Sequence, residues 1–137
     1  MSNYIVVDAS IWVARLIAND AWHDHARDWL DAQRTRGARF VSPALLLVEV
    51  AAAIARRTSE PELARRAVDA LQHLPDLRLV AMDQAVVETA ATVAVDLGVR
   101  GADAFYIAIA QRLNLPLATL DADQRKRASR VVATLSV

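Results

Sequence analysis

The sequence predicts an α/β protein whose parallel sheet is covered by helices on both faces. Short apolar runs without polar alternation recur along the chain, as in strands that are buried on both faces. Stretches with apolar side chains at helical spacing separate most of these runs. Because strands that alternate with long helices form parallel sheets, and because 137 residues match the size of one domain, we expect a single α/β domain over residues 1–137.

The first predicted elements lie on either side of an acidic residue. A β-branched run predicts a strand over Tyr4–Val7, and Asp8-Ala9-Ser10 opens a predicted helix over 11–17. Apolar side chains at helical spacing predict a second helix over 21–36, which Gly37 ends. The chain is therefore expected to begin as a strand, a carboxylate and a helix.

A second short strand is predicted at 40–41, followed by a helix that is apolar almost all round. We expect Ser42 to be the N-cap and Pro43 the first residue of this helix, which covers 43–57. The next predicted helix, over 60–73, is polar and amphipathic and is bracketed by prolines.

The remaining elements continue the alternation of strands and helices. Asp83 is a typical N-cap and Gly98 a typical C-cap for the helix between them. The predicted strands cover 77–80, 115–119 and 130–135, and the predicted helices cover 83–97, 101–113 and 121–129. No internal repeat or linker is evident in the sequence.

The composition excludes several chemistries. The absence of Cys removes disulfides, thiolate metal sites and Cys nucleophiles and is typical of a reducing compartment, so we expect a cytoplasmic protein. No leader pattern and no apolar run of membrane-spanning length is evident, so no membrane attachment is expected. With 16 basic and 16 acidic side chains the formal net charge is zero, which argues at first sight against a nucleic-acid partner.

Two acidic residues lie at the ends of predicted strands. Asp8 directly follows the strand over Tyr4–Val7, and Asp121 follows the strand over 115–119 with one residue between. In an open parallel sheet the ligand site lies outside the carboxyl ends of the strands, where the strand order reverses. Each Asp taken singly is equally well explained as a helix N-cap, so the pair is more informative than either residue.

Two further acids lie in apolar helices. Glu49 has Leu, Val and Ala around it, and an unpaired buried carboxylate is costly. It therefore needs either a buried ion pair, with Arg15 or Arg112, or another cation. Asp103 lies in the first turn of its helix, where the helix dipole alone favours an anion.

Four carboxylates at one end of one sheet would repel one another strongly. Such a cluster is stable at neutral pH only with cations between the oxygens. Ligation by oxygen alone, without His or Cys, favours Mg²⁺ or Mn²⁺ over zinc. Because such ions activate water and neutralise charge on phosphate oxygens, the four acids predict phosphoryl chemistry.

Four parts of the sequence together resemble the PIN-domain ribonucleases, in particular the VapC toxins of VapBC toxin–antitoxin pairs. These parts are residues 6–12 (VVDASIW), the lone Glu49 in its apolar helix, residues 102–108 (ADAFYIA) and residues 117–121 (LATLD). The resemblance covers essentially the full length, and the order and spacing of the four acids make it specific.

The resemblance implies a three-layer α/β/α sandwich with a mainly parallel central sheet. It also implies an endoribonuclease that depends on Mg²⁺ or Mn²⁺, with one or two ions per site. Such an enzyme acts as the toxin of a type II toxin–antitoxin pair and inhibits translation and growth. The implied partners are RNA, a small antitoxin protein that blocks the site, and a second copy of the chain in a homodimer, within a larger toxin–antitoxin complex.

The resemblance also assigns roles to the acids, which are the expected catalytic residues. Asp8 and Asp103 match the acids that hold the metal most directly. Glu49 matches an acid that often acts through a bound water, and Asp121 matches the fourth acid.

Three further residues are expected to support these acids. Ser10 matches a hydroxyl that supports the first acid, and Thr119 is a candidate for the same role beside Asp121. Asp123 offers a second carboxylate at the last position. We prefer Asp121 as the fourth acid because it is closer to the strand end, and we regard Asp123 as accessory.

Basic residues near the acids are candidates for RNA contacts. Arg125-Lys126-Arg127 follows Asp121 closely enough to line the substrate channel, although such clusters are more often solvated helix faces. Trp12, Trp22 and Trp29 are expected in the core or at a dimer interface. Setting aside the five acids at or near the site leaves 16 basic against 11 acidic side chains, an excess that attracts a phosphate backbone.

A function of a different class stays open. The chain could be a PIN-like module without catalytic activity that binds RNA or protein and uses the acids structurally. The presence of all four acids argues against this alternative, because a degenerate member is expected to lose at least one of them.

Overall fold

Within residues 3–137, which the computed structural model describes, five strands form one parallel sheet. The strands are β1 (Tyr4–Val7), β2 (Arg39–Pro43), β3 (Leu77–Val80), β4 (Leu117–Ala118) and β5 (Thr134–Leu135). Their spatial order is β3-β2-β1-β4-β5, and every neighbouring pair is parallel. The strand order therefore reverses between β1 and β4. Met1 and Ser2, the first residues of the predicted domain, lie outside the described part.

Seven helices in the same part of the chain flank the sheet. They are α1 (Ala9–Leu16), α2 (His23–Thr35), α3 (Leu46–Thr58), α4 (Pro61–Gln72), α5 (Gln84–Leu97), α6 (Gly101–Leu113) and α7 (Ala122–Ala128). The predicted α/β/α sandwich with a parallel central sheet is confirmed. No helix between residues 3 and 137 combines the length and the apolar character needed to cross a membrane.

The predicted start of α3 is wrong. Ser42 and Pro43 belong to β2, and the helix begins at Leu46. The Ser42 hydroxyl does not cap a helix because it donates to the carbonyl oxygen of Val7 at 2.6 Å and accepts from the Trp12 indole at 3.2 Å. The seryl side chain thus ties β2 to β1 and α1 in the core.

Two C-terminal strands are shorter than predicted. The predicted strand over 115–119 is reduced to β4, because the N–H of Leu115 still closes α6 by donating to the carbonyl of Ala110 at 2.9 Å. The predicted strand over 130–135 is reduced to β5, because the N–H groups of Val131 and Val132 both donate to the carbonyl of Ala128. These hydrogen bonds extend the preceding helices into turns, so few residues remain to pair with neighbouring strands of the sheet.

The core fixes the position of the strand ends. Val6 and Val7 of β1 are fully buried at the centre of the sheet. Trp12 of α1 is 1% exposed and meets Phe40 of β2 edge to face, with 5.7 Å between ring centroids. The end of β1, and with it Asp8, is therefore held in place by the packing around this strand.

Candidate active site

Asp8 lies where the strand order of the sheet reverses. It directly follows β1, and its backbone N–H donates to the carbonyl of Ala118 at the end of β4, at 2.9 Å. The side chain is 4% exposed and caps α1, with Oδ2 accepting from the N–H of Ser10 at 3.1 Å. Asp8 is thus the N-cap of α1, as its residue type favours. One capping bond to Oδ2 does not account for the burial of a charged carboxylate, so other partners are needed.

Ser10 and Thr119 both hold Asp8, in different ways. Thr119 is fully buried, and its Oγ1 lies 3.1 Å from Asp8 Oδ2. Ser10 supports Asp8 through its backbone N–H, whereas its hydroxyl accepts from the N–H of Leu120 at 3.1 Å and lies 3.3 Å from Thr119 Oγ1. Thr119 Oγ1 also accepts from the N–H of Asp121 at 3.1 Å. One hydroxyl cluster therefore joins the ends of β1 and β4.

Glu49 faces the same region from α3. Its Oε1 accepts a 2.7 Å hydrogen bond from the hydroxyl of Tyr106, a fully buried residue of α6. Neither Arg15 nor Arg112 forms an ion pair with it, so the first of the two alternatives considered for Glu49 is not realised; Arg112 instead donates to Thr89. Burial raises the pKa of Glu49, and the charges of Asp8 and Asp103 add to this, while the tyrosine bond opposes it.

Asp103 lies in the first turn of α6 with its side chain 14% exposed. Burial raises its pKa, the charge of Asp8 raises it further, and that of Asp121 adds a smaller contribution. Arg100 opposes this rise because its Nε donates to Asp103 Oδ2 at 3.1 Å. Burial is thus the main cause of the raised pKa values of Asp103 and Glu49, and the charge of Asp8 contributes to both.

Asp121 is the N-cap of α7. Its Oδ1 accepts from the backbone N–H groups of Asp123 and Gln124 at 3.0 and 3.1 Å, and its Oδ2 lies 3.7 Å from Arg100 Nη2. Asp123 is directed elsewhere, since its side chain is 71% exposed and pairs with Arg127 at 3.0 Å. Of the two carboxylates at the last position, Asp121 is the one linked to the other acids.

The donor set fits a hard divalent cation in its chemistry. Asp8, Glu49, Asp103 and Asp121 offer oxygen alone, and Glu49 and Asp103 are protonated more readily than usual because they are partly buried and lie near other negative charges. As the side chains stand, no three Asp, Glu or His residues within 3–137 are grouped closely enough to hold an ion. Arg100 instead supplies positive charge to Asp103 and Asp121.

Comparison with known proteins decides the family. The family model described as the PIN domain matches residues 5–129. This chain belongs to the PIN domain family. The resemblance seen in the sequence is therefore confirmed at the level of the family. No curated protein sequence shows significant similarity to the chain.

Solved structures of similar proteins share the PIN domain fold. Mycobacterium tuberculosis VapC20, described as a sarcin-ricin loop cleaving toxin, is 21% identical, with a TM-score of 0.75 over 88% of this chain and 92% of that one. FitAcB from Neisseria gonorrhoeae is 21% identical, with a TM-score of 0.69 over 96% of both chains. DNA-bound VapBC from Salmonella typhimurium is 13% identical, with a TM-score of 0.73 over 99% of this chain and 98% of that one.

The three residues of the basic cluster differ in their contacts in this PIN domain. Arg125 Nη1 donates to the carbonyl of Thr119 at 3.4 Å, and Arg127 Nη1 donates to the carbonyl of Leu97 at 3.0 Å. Lys126 is exposed. The two arginines help to hold α7 against the sheet and α5, which leaves Lys126 as the most available cation of the three.

A groove of about 620 Å³ adjoins the acids of the PIN domain. Its lining includes Ser10, Glu49, Asp121, Trp22, Arg56 and Arg57. Trp12 lies in the core, one of the two predicted positions, whereas Trp22 is 53% exposed, which excludes the core and leaves the dimer interface untested. Arg57 is paired with Asp20 at 2.9 Å.

Three residues near the acids were missed by sequence reasoning. Arg100 and Tyr106 lie three residues before and after Asp103, and Gln124 lies three residues after Asp121. In a helix this spacing places side chains on one face. Searching for polar side chains one helical turn from each acid would have listed all three as candidates, without showing which acid each one contacts.

Proposed function

We propose that this PIN domain is a metal-dependent endoribonuclease that hydrolyses RNA phosphodiester bonds. The position of Asp8 carries the proposal: it is buried where the strand order reverses, and its charge adds to the effect of burial in raising the pKa of Glu49 and of Asp103. Carboxylates assembled against their mutual repulsion are typical of a site that binds a divalent cation. We further propose that residues 1–137 act as one PIN-like domain.

Asp8 and Asp103 would hold Mg²⁺ or Mn²⁺ directly, Glu49 through a water, and Asp121 would complete a site for one or two ions. When bound, such an ion supplies a more acidic water and neutralises charge on the phosphate. Thr119 and the N–H of Ser10 fix the carboxylate of Asp8. Because Tyr106 occupies Glu49 Oε1, Oε2 is free to take the proton of the attacking water.

The groove beside the acids offers a path for the RNA strand. The exposed Trp22 ring can stack on an unpaired base, and the exposed Arg56 can contact a phosphate. Lys126 of the basic cluster is the best placed of its three cations for a further phosphate contact. The zero formal net charge is compatible with this path, because the five acids at or near the site leave 16 basic against 11 acidic side chains in the rest of the sequence.

We also propose that the chain is the toxin of a type II toxin–antitoxin pair that inhibits translation and growth. Solved structures with this fold include a toxin that cleaves the sarcin-ricin loop and VapBC assemblies bound to DNA. By analogy, a small antitoxin protein would block the site, and the chain would form a homodimer within a larger complex in the cytoplasm, without membrane attachment.

A PIN-like module without catalytic activity is the second candidate. It is favoured by one observation, namely that no three acids in the described part of the chain are grouped closely enough to hold an ion as they stand. In that case Arg100 would be the permanent counter-charge of Asp103 and Asp121.

One experiment separates the two functions. The purified protein is incubated with an end-labelled structured RNA in Mg²⁺ or Mn²⁺, with and without a chelator. We expect cleavage that the chelator, Asp8→Asn and Asp103→Asn each abolish, and that Asp96→Asn, at an exposed position of α5, leaves unchanged. Full cleavage by the Asp103→Asn protein would contradict the nuclease assignment. Binding of RNA without cleavage in either metal would establish the non-catalytic module.

A further inference from the structure

Gln124 is a buried polar residue in contact with the candidate acids. Its side chain is 3% exposed in α7, a helix whose other buried residue is Ala128. Burying an amide without hydrogen bonds is costly, so its partners must account for its presence. Those partners are Asp8, whose Oδ1 lies 3.4 Å from Gln124 Nε2, and Thr119, whose Oγ1 lies 3.2 Å from Gln124 Oε1.

The chemistry of the neighbours determines the orientation of the amide. The opposite orientation would place the amide oxygen of Gln124 against a carboxylate oxygen of Asp8, and two acceptors repel each other. The NH₂ group therefore faces Asp8. Thr119 has a single hydroxyl proton, and Asp8 Oδ2 and Gln124 Oε1 both lie within reach of it. The amide thus contacts both the carboxylate and the hydroxyl that holds it.

Gln124 also binds the fourth acid through its backbone. Its N–H donates to Asp121 Oδ1 at 3.1 Å, as part of the N-cap of α7. The side chain and the backbone of one residue therefore contact Asp8 and Asp121, which follow β1 and β4. Rotation of the Asp8 carboxylate is opposed on Oδ1 by Gln124 and on Oδ2 by Thr119 and the N–H of Ser10.

We propose that Gln124 is a positioning residue that holds the Asp8 carboxylate in its ligating orientation and in register with Asp121. This proposal rests on the proposed function, since it gives Asp8 the role of a ligand. Groups that orient a ligand in this way contribute substantially to metal affinity although they do not touch the ion.

The test is the Mn²⁺ affinity of the full-length protein, measured by isothermal titration calorimetry. Gln124→Met keeps the length of the side chain and removes both hydrogen bonds. We expect its Kd for Mn²⁺ to rise about tenfold. The matched control is Gln111→Met, the same change at an exposed position of α6, for which we expect the Kd of the wild type.

A double-mutant cycle with Thr119→Val separates positioning from simple packing. If both side chains act through Asp8, the losses of affinity in Gln124→Met and Thr119→Val are not additive in the double variant. Thr119→Ser, which keeps the hydroxyl, should restore most of the affinity lost in Thr119→Val. Melting temperatures of the metal-free proteins are recorded in parallel, so that loss of stability is measured separately from loss of affinity.

The possible outcomes distinguish this proposal from the proposed function. A Gln124→Met protein that melts lower but binds Mn²⁺ with the Kd of the wild type overturns the positioning role alone. If the wild type binds Mn²⁺ but cleaves no RNA, the proposed nuclease activity is wrong. The positioning role of Gln124 is then decided by the measured Mn²⁺ affinities alone. A wild type that binds no Mn²⁺ overturns both.

Discussion

The hydroxyl of Tyr106 donates a 2.7 Å hydrogen bond to Oε1 of Glu49, and this bond joins α6 to α3 across the candidate site. Tyr106 is fully buried, and this burial, together with the negative charges of Glu49, Asp8 and Asp103, raises the pKa of its phenol. The phenol therefore stays protonated near neutral pH and donates its hydrogen bond to Glu49.

Tyr106→Phe should weaken the site with little damage to the fold. Removing the hydroxyl leaves Glu49 free to rotate and raises its pKa further, so we expect RNA cleavage at neutral pH to fall about tenfold. The loss of unfolding free energy should be about 1 kcal/mol, as for one hydrogen bond. Tyr4→Phe is the matched control, and equal effects of the two changes would contradict the role of the bond.

The metal-free protein should become less stable as the pH rises through the range in which Glu49 and Asp103 ionise. Their pKa values in the folded state lie above the ordinary values of 4.5 and 3.8. Between the ordinary and the raised pKa the folded state binds more protons than the unfolded state, so this contribution to the unfolding free energy falls with increasing pH. Denaturant unfolding in chelator at a series of pH values measures the slope.

Neutralising either acid should therefore stabilise the metal-free protein. We expect Glu49→Gln and Asp103→Asn each to raise the unfolding free energy at neutral pH by about 1 kcal/mol, a gain typical of relieving strain at a functional site. Asp96→Asn, at an exposed position, should change it little. Destabilisation by both site variants would show that the carboxylates do not oppose folding.

Addition of Mn²⁺ should raise the melting temperature of the wild type. An ion present at about 100 times its Kd adds about 2.7 kcal/mol to the stability of the state that binds it. Asp8→Asn should lose this response because its buried carboxylate is the proposed ligand. A shift of equal size in Asp8→Asn would place the ion elsewhere.

Arg100→Ala should tighten the binding of Mn²⁺. The guanidinium lies 3.1 Å from Asp103 and 3.7 Å from Asp121, where it opposes the approach of another cation. Because the Arg100 side chain is 80% exposed and exposed ion pairs are weak, we expect a fall in Kd of about threefold. Arg36→Ala, at an exposed position after α2, is the control. Weaker Mn²⁺ binding by Arg100→Ala would contradict this competition.

Trp22→Ala should weaken RNA binding without unfolding the protein. Stacking of one base is worth about 1–3 kcal/mol, so we expect the Kd for RNA to rise about tenfold or more. The Kd is measured in protein that also carries Asp103→Asn, so that the RNA is not cleaved. Trp22→Phe keeps an aromatic face and should recover most of the affinity. Unchanged RNA affinity in Trp22→Ala would exclude a stacking role in the groove.

Local patterns of sequence were sufficient to predict much of the architecture. Tyr4–Val7 and Leu77–Val80 form strands as their apolar runs predicted, and Asp83 and Gly98 cap α5 as their residue types favoured. Ser42 and Pro43 were misassigned because a Ser-Pro pair is a typical helix start, whereas here the Ser42 hydroxyl is satisfied by Val7 and Trp12 of other elements. The preference of a residue type for a helix start is overridden when partners distant in sequence form its hydrogen bonds.

The sequence by itself determined the fold class and the family resemblance and nominated four candidate acids, because these depend on hydrophobic periodicity and on residue types at short spacing. Only the tertiary structure decided what surrounds the acids. Tyr106 reaches Glu49 across 57 positions and Gln124 reaches Asp8 across 116, and periodicity carries no information at such separations. Which buried polar groups satisfy one another is decided when the helices pack on the sheet, since only then do their donors and acceptors meet.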